Sequence, residues 1–436
     1  MPTYLPYGHQ SIDDEDIKEV VKVLKSDWIT QGSKVREFEE ALSNYVGAKY
    51  AVVLNSGTAA LHAASFAAGI KKGNEAITAP ISFVASSNCI LYLQGKPVFA
   101  DIKEDTYNIN PEEIEKKITS KTKAIIPVDF TGQPVNLERI YQIAKKHSSV
   151  VIEDASHALG AKYRLMGKWV KVGSCAHSDM TTFSFHPVKN ITTGEGGAVT
   201  TNNEEFYEKL LLFRNHGITK NPDRFINKDL AFGFTSYVLR LTSHVSRLTS
   251  HLSPPWYYEM QELGYNYRLT DFQCVLGISQ LKKLNKFLEK RKQIVKKYNR
   301  AFKEVEEIII PYEKPDVKSA WHIYVIRLKL NKLKASRREI FETLRKKNIG
   351  VQVHYIPIYY QPYYEKLGYK KGICPKAEKY YEEAITLPLF PGMKEKDVGS
   401  VINAVKSIIM HYRKKNEKNK NRKPFNRKRR ALLYHC

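Results

Sequence analysis

The chain has 436 residues, 42% of them hydrophobic, and a net charge of +25, so it is too long for one small core and apolar enough to be globular. No apolar run reaches the roughly 18 residues of a membrane span, and Met1-Pro2-Thr3-Tyr4-Leu5-Pro6 lacks the basic and apolar regions of a signal peptide. Five scattered cysteines (Cys89, Cys175, Cys274, Cys374, Cys436) argue against a disulfide framework or a zinc site and suit the reducing cytoplasm.

Residues 11–46 read as helical. Ser11 stands before an acidic first turn (Asp13, Asp14, Glu15), and Ile17, Val20, Val21 and Leu24 recur at helical spacing. From Tyr50 to about Val199, strands alternate with helices. Strands are expected at 50–54, 76–78, 97–100, 124–128 and 150–153, and helices at 57–68, 83–93 and 137–147. This alternation predicts an α/β domain with a mainly parallel sheet. Ligands of such sheets bind at the carboxyl ends of the strands.

The segment 232–253 reads as an inserted loop, with Leu-Thr-Ser-His at 241–244 repeated at 248–251. Two copies are too few for a solenoid, and a surface loop is a better reading of His244 and His251 than a metal site. Beyond Leu281, Lys-rich helices lead into a smaller α+β region. It has expected strands at 322–328 and 351–354 and helices at 337–347 and 396–411. The division is therefore 1–290 for an N-terminal arm and large domain, 291–412 for a small C-terminal domain, and 413–436 for a basic tail. Between Arg413 and Arg430 that tail carries eleven Lys or Arg against one Glu, a composition expected to be disordered. No nucleic-acid-binding motif accompanies it, so nonspecific contact with a polyanion is the most it suggests.

Three segments carry chemistry. The turn Asn55-Ser56-Gly57-Thr58 follows a strand and opens a helix. Free N–H groups there, with two hydroxyls, make an anion cradle, although Ser and Thr are also ordinary caps. Glu153-Asp154-Ala155-Ser156-His157 follows another strand. Asp154 could keep a cationic ring nitrogen protonated, or could merely cap a turn. The third segment runs from Thr181 to Val199. A β run ends on the Ser184 hydroxyl, a Pro187 turn presents Lys189, and Gly194-Glu195-Gly196-Gly197 leads back into a strand. A lysine held this way can form a Schiff base with a phosphorylated aldehyde once its amine loses a proton; a plain hairpin would look similar. Phe83, just past a strand end, could stack on a flat ring or pack in the core. No Walker loop or His-Glu-x-x-His motif occurs, and no metal is expected.

Taken in order, strand–Ser-Gly-Thr–helix, strand–Glu-Asp-x-x-His, and Phe-Ser-Phe-His-Pro-x-Lys-x-x-Thr-Thr-Gly-Glu-Gly-Gly resemble the pyridoxal-phosphate (PLP) sugar aminotransferases of the DegT family. The resemblance runs from about Leu5 to Tyr412 and is interrupted near 232–253. It implies the aspartate aminotransferase-like fold type I, an α/β large domain with a smaller α+β C-terminal domain. It also implies roles. Lys189 would carry PLP, Asp154 would pair with the ring nitrogen, Phe83 would stack on the ring, and His157 would sit near the ring hydroxyl. Gly57, Thr58 and Ser184 would bind the phosphate. Asn266 would reach the phosphate of the neighbouring subunit's cofactor, making a homodimer with shared active sites. His216, Tyr267, Arg268 and His354 are substrate-side candidates.

Residues 153–161, 213–219, 264–273 and 351–357 are most similar to family members of the pseudaminic acid pathway. The implied reaction moves an amino group from L-glutamate to C4 of a UDP-linked 4-keto-6-deoxy-N-acetylhexosamine. Another nucleotide 4-keto sugar, of the perosamine or 4-amino-arabinose type, is the alternative acceptor. A non-catalytic PLP-binding regulator or nucleic-acid binder using the tail is the alternative from another class. Three features depart from the family pattern: the insertion, the tail, and Tyr359, where relatives often have His.

Overall fold

The computed structural model describes residues 4–228, 230–231 and 255–414. The expected insertion at 232–253 and the tail beyond Lys414 lie outside the described residues. Two helices, not one, occupy 11–46: α1 (Asp14–Leu24) and α2 (Ser33–Val46). Asp13 and Asp16 form a capping box at the start of α1. The break before α2 has a distant cause, since the Asp271 carboxylate accepts from the backbone N–H of Gly32 and Lys34.

The alternating region gives β1 (Tyr50–Leu54), α3 (Gly57–Ala67), β2 (Glu75–Thr78), α4 (Ala85–Tyr92) and β3 (Lys96–Phe99). Then come α5 (Pro111–Lys117), β4 (Thr122–Ile126), α6 (Leu137–Lys146) and β5 (Val150–Asp154). A hairpin, β6 (Lys162–Leu165) and β7 (Lys168–Lys171), precedes β8 (Met180–Ser184), β9 (Gly197–Thr201) and α7 (Glu204–Arg214). The seven-stranded sheet runs β1-β9-β8-β5-β4-β2-β3. Only β9 opposes its neighbours in direction. Helices cover both faces, so β4 and β5 are apolar runs and not alternating ones. The Ala-rich α3 is buried almost all round, because small side chains let it lie close to β8, β9, α4 and α7.

β10 (Ile218–Thr219) pairs with β11 (Glu259–Met260). The expected Lys-rich helices form one 32-residue helix, α8 (Asp271–Phe302), which runs straight through position 290. Its first half packs Cys274, Leu281 and Leu284 into the core under the sheet. Its second half packs Ile294, Val295, Tyr298 and Phe302 into a second core. Beyond it lie β12 (Ile308–Ile309), β13 (Val317–Lys318), β14 (Tyr324–Leu328), α9 (Arg337–Lys346), α10 (Pro362–Lys366), α11 (Pro375–Glu383), β15 (Ala384–Leu387) and α12 (Glu395–Tyr412). β12, β14 and β15 make a small antiparallel sheet, whereas β13 returns to the β6–β7 hairpin. Residues 351–354, expected as a strand, make only the isolated bridge Gln352–Thr386. Leu5 of the N-terminal segment takes the Gly350 N–H instead, and Pro357 has no N–H for a ladder.

Candidate active site

A cavity of about 470 Å³ opens at the carboxyl ends of β1, β5 and β8, where an open α/β sheet places its ligands. One end is the start of α3. Ser56 caps that helix by accepting the Ala59 N–H, which leaves the first-turn N–H groups of Gly57 and Thr58, two residues that line the cavity, without an intrahelical partner. A Cβ on Gly57 would lie 2.8 Å from the Cβ of Ser184, and one on Gly197 would lie 2.4 Å from the Ser56 carbonyl oxygen. Glycine at both places lets β8, β9 and the turn close around a space sized for an anion.

Asp154 ends β5 and is buried at the cavity wall. Its Oδ2 accepts from Ser86 Oγ at 2.6 Å, and its Oδ1 accepts from Ser156 Oγ at 2.6 Å and from the Ser156 N–H at 3.2 Å. A carboxylate offers about four acceptor positions, so the anchored group keeps capacity for a cationic N–H in the cavity. Lys189 lies on the turn after β8, where its N–H donates to the His186 carbonyl. Burial pushes its amine pKa down to about 8, against the opposing pull of Asp154. The amine therefore gives up its proton far more readily than a free lysine, with its midpoint just above neutral pH.

His157 Nε2 lies 3.3 Å from the Tyr355 hydroxyl, and its Nδ1 has no hydrogen-bond partner. Burial, with the Lys189 charge behind it, holds this imidazole well below its usual pKa. Phe83 lines the cavity yet is 58% exposed, a large ring left uncovered at the mouth. His354 also lines it, with Nδ1 2.9 Å from Thr386 Oγ1, and burial lowers its pKa to about 3.

The donor set fits PLP: an anion cradle, a neutralisable lysine, an anchored carboxylate, an uncovered ring and an unpartnered buried imidazole nitrogen share one cavity. Among the described residues, no group of three or more His, Cys, Asp or Glu is arranged to hold a metal. No helix among them is long and apolar enough to cross a membrane.

Other expected residues lie elsewhere. Asn266 is exposed on the loop beside β1, its carbonyl near Asn55 Nδ2. His216 is exposed, Tyr267 contacts His62, and Arg268 donates to Asn215 Oδ1. Arg268 lines a separate groove of about 600 Å³ with Arg214, Asn215 and Lys220. Tyr359 is fully buried, donates to Glu378 Oε1 at 2.7 Å and does not line the cavity. Its departure from the family pattern therefore stays outside the site. Sequence reasoning missed Tyr7, Ser86, His186, His322 and Tyr355, which line the cavity. Proximity in sequence to an expected residue could have flagged His186 (beside Lys189), Tyr355 (next to His354) and Ser86 (near Phe83), but not Tyr7 or His322.

Comparison with known proteins places the chain. Residues 10–406 match the DegT/DnrJ/EryC1/StrS aminotransferase family. Uncharacterized protein MJ1066 of Methanocaldococcus jannaschii is 46% identical over 94% of this chain and 99% of its own. The UDP-4-amino-4,6-dideoxy-N-acetyl-beta-L-altrosamine transaminase of Campylobacter jejuni is 40% identical over 94% and 99%. Among solved structures, Helicobacter pylori PseC, an aminotransferase involved in pseudaminic acid biosynthesis, superposes with a TM-score of 0.82 at 35% identity, covering 94% of this chain and all of that one. The putative sugar aminotransferase Spr1654 of Streptococcus pneumoniae, solved in PLP and PMP forms, gives 0.81 at 30% identity, with 94% of this chain covered and 98–99% of that one.

Proposed function

Because the chain belongs to the DegT/DnrJ/EryC1/StrS aminotransferase family, we propose that it transfers an amino group from L-glutamate to C4 of a UDP-linked 4-keto-6-deoxy-N-acetylhexosamine, as in pseudaminic acid biosynthesis. The observation that carries the reading is the meeting of Lys189, Asp154 and the α3 cradle in one cavity. The Campylobacter relative's name points to the acceptor.

PLP, when bound, supplies an aldehyde that takes up and passes on an amino group and a ring that withdraws electrons. Gly57, Thr58 and Ser184 would hold its phosphate, and Phe83 would stack on its ring. Asp154, fixed by Ser86 and Ser156, would keep a proton on the ring nitrogen. His157 would face the ring hydroxyl. Lys189 Nζ would be the base that takes the proton from the donor's α-carbon and then the acid that delivers it to the cofactor's aldehyde carbon. Its lowered pKa suits both tasks. His354 belongs to the substrate side.

The working unit in this reading is a cytoplasmic homodimer. Asn266, exposed and outside its own chain's cavity, would reach the cofactor phosphate of the neighbouring copy, with His216, Tyr267 and Arg268 beside it. The basic tail is an accessory to this activity.

The test is the absorbance spectrum of the PLP-loaded protein before and after L-glutamate, followed by addition of the UDP-4-keto sugar. The expected outcome is conversion of the long-wavelength cofactor band to that of pyridoxamine phosphate, then its return with an aminated sugar detected by mass. A cofactor band indifferent to glutamate would refute the donor, and no return with this sugar would refute the acceptor.

A further inference from the structure

His62 lies on α3, five residues beyond Gly57, and is 3% exposed. Its ring is boxed by aromatic groups, with centroids 4.9 Å from Phe213 and 5.1 Å from both Tyr92 and Tyr265. Its Nδ1 lies 3.1 Å from the Tyr267 hydroxyl. Tyr267 stacks on Tyr265 at 5.0 Å, with the planes 12° apart. Between these two rings in the chain stands Asn266, exposed to solvent.

The backbone of this loop is tied to its surroundings on both sides. Tyr265 N–H donates to the Phe213 carbonyl, Tyr267 N–H to the Arg214 carbonyl, and Asn55 N–H to the Tyr267 carbonyl. The side chains, by contrast, have one polar anchor in the box, which is His62. An imidazole is a costly choice there. Burial lowers its pKa to about 4, so it sits neutral, and its Nε2 has no hydrogen-bond partner. Phenylalanine would fill an aromatic box without that desolvation penalty. What phenylalanine cannot do is fix the rotation of the Tyr267 hydroxyl, and with it the stacked pair.

We propose that His62 is a positioning residue: it locks the Tyr265–Tyr267 pair to α3 and so presents Asn266 to the active site of the neighbouring copy. The inference rests on the shared-site reading above. It makes α3 a two-sided element. Its first turn, at Gly57 and Thr58, faces the cavity of its own chain, and its second turn, at His62, sets the loop offered to the other.

Mixed dimers of differently tagged copies test this, because each leaves one lysine-bearing site. In the first, a Lys189→Ala copy is paired with a His62→Phe copy, so the surviving site has an altered α3 of its own and a native loop from its neighbour. In the second, a Lys189→Ala/His62→Phe copy is paired with a native copy, so the surviving site receives the altered loop. The expected result is a roughly five- to tenfold weaker retention of PLP, the worth of one lost hydrogen bond, in the second dimer alone. Retention is read by absorbance after dialysis. Backbone amides at 265–267 should also exchange faster in every His62→Phe copy. His62→Asn, whose amide can take the place of Nδ1, should restore both readouts. Tyr267→Phe, which removes the same bond from its other end, should reproduce the second-dimer pattern even if His62→Phe folds poorly. Equal loss in both dimers, or loss only in the first, overturns the proposal and leaves His62 as packing. A chain that sediments as a monomer removes the shared-site reading, and the proposal falls with it.

Discussion

The two walls of the cavity are built in opposite ways. On the sheet side, Gly57, Asp154, Ser184 and Lys189 each stand at or just after a strand end. The hydrogen-bonded ladder of the sheet fixes the backbones of Asp154 and Ser184. Gly57 opens α3, and Lys189 sits on a turn closed by its N–H to the His186 carbonyl. Local anchors such as Ser86 and Ser156 fix the Asp154 carboxylate. On the facing side, Tyr7, His322, His354 and Tyr355 come from the N-terminal segment and the C-terminal region. Long-range bonds hold them there. The Leu389 N–H donates to the Tyr7 carbonyl, Tyr380 donates to the His354 carbonyl, and Arg291 donates to the His322 carbonyl. The contrast teaches that the proton-moving groups are placed by local sequence around strand ends, while the groups facing a substrate are placed by long-range tertiary contacts.

The sharpest way to break that contrast is Lys189→Ala. Turnover should fall by about 10⁴-fold or more, with far-UV circular dichroism unchanged. Substantial residual turnover would remove the lysine from its role. Asp154→Asn should cost about 10²–10³-fold in kcat, read in single-turnover kinetics with glutamate. The far wall should respond in a different currency. Arg291 is fully buried, and one of its terminal nitrogens donates to the carbonyls of Trp321, His322 and Leu389. Arg291→Met leaves these acceptors wanting. It should cost about 2 kcal/mol in denaturant titration and raise KM more than it lowers kcat.

The smallest expected effect is a pH shift. The Lys189 amine loses its proton as pH rises through about 8. The rate of PLP uptake by the apoprotein should therefore rise with a midpoint near that pH and level off above it, and not near the 10.5 of a free lysine. Asp154 opposes this lowering, so in Asp154→Asn the midpoint should move to lower pH. A midpoint that stays put would mean that the two groups do not feel each other.

The same contrast explains what could be read from sequence. The strand-end groups were legible because each sits within a few residues of the apolar run that places it, and the α/β alternation followed from those runs. On the far wall only His354 was flagged, through the family resemblance. His322 reaches the cavity through Arg291, thirty-one residues away in sequence, and His157 meets Tyr355 across 198. No local pattern encodes either distance. The break in 11–46 was hidden for the same reason, since the carboxylate that holds it is Asp271. The β6–β7 hairpin escaped because Lys162–Leu165 and Lys168–Lys171 are polar and half-covered, with no apolar run to announce them. Tyr359 stood out by comparison with relatives, yet its hydroxyl is spent on Glu378 away from the cavity.

The long helix α8 has a mechanical consequence. At 1.5 Å per residue its 32 residues span about 48 Å, with one end rooted in each core. The chain then crosses back, placing Val317 in the first core and Trp321 in the second, while Leu5 is bridged to Ile349 near the far end. No single cut separates the two halves. Melting either one would strip the apolar face from half of the shared helix, so the two halves are expected to lose their order in a single thermal transition, which calorimetry checks.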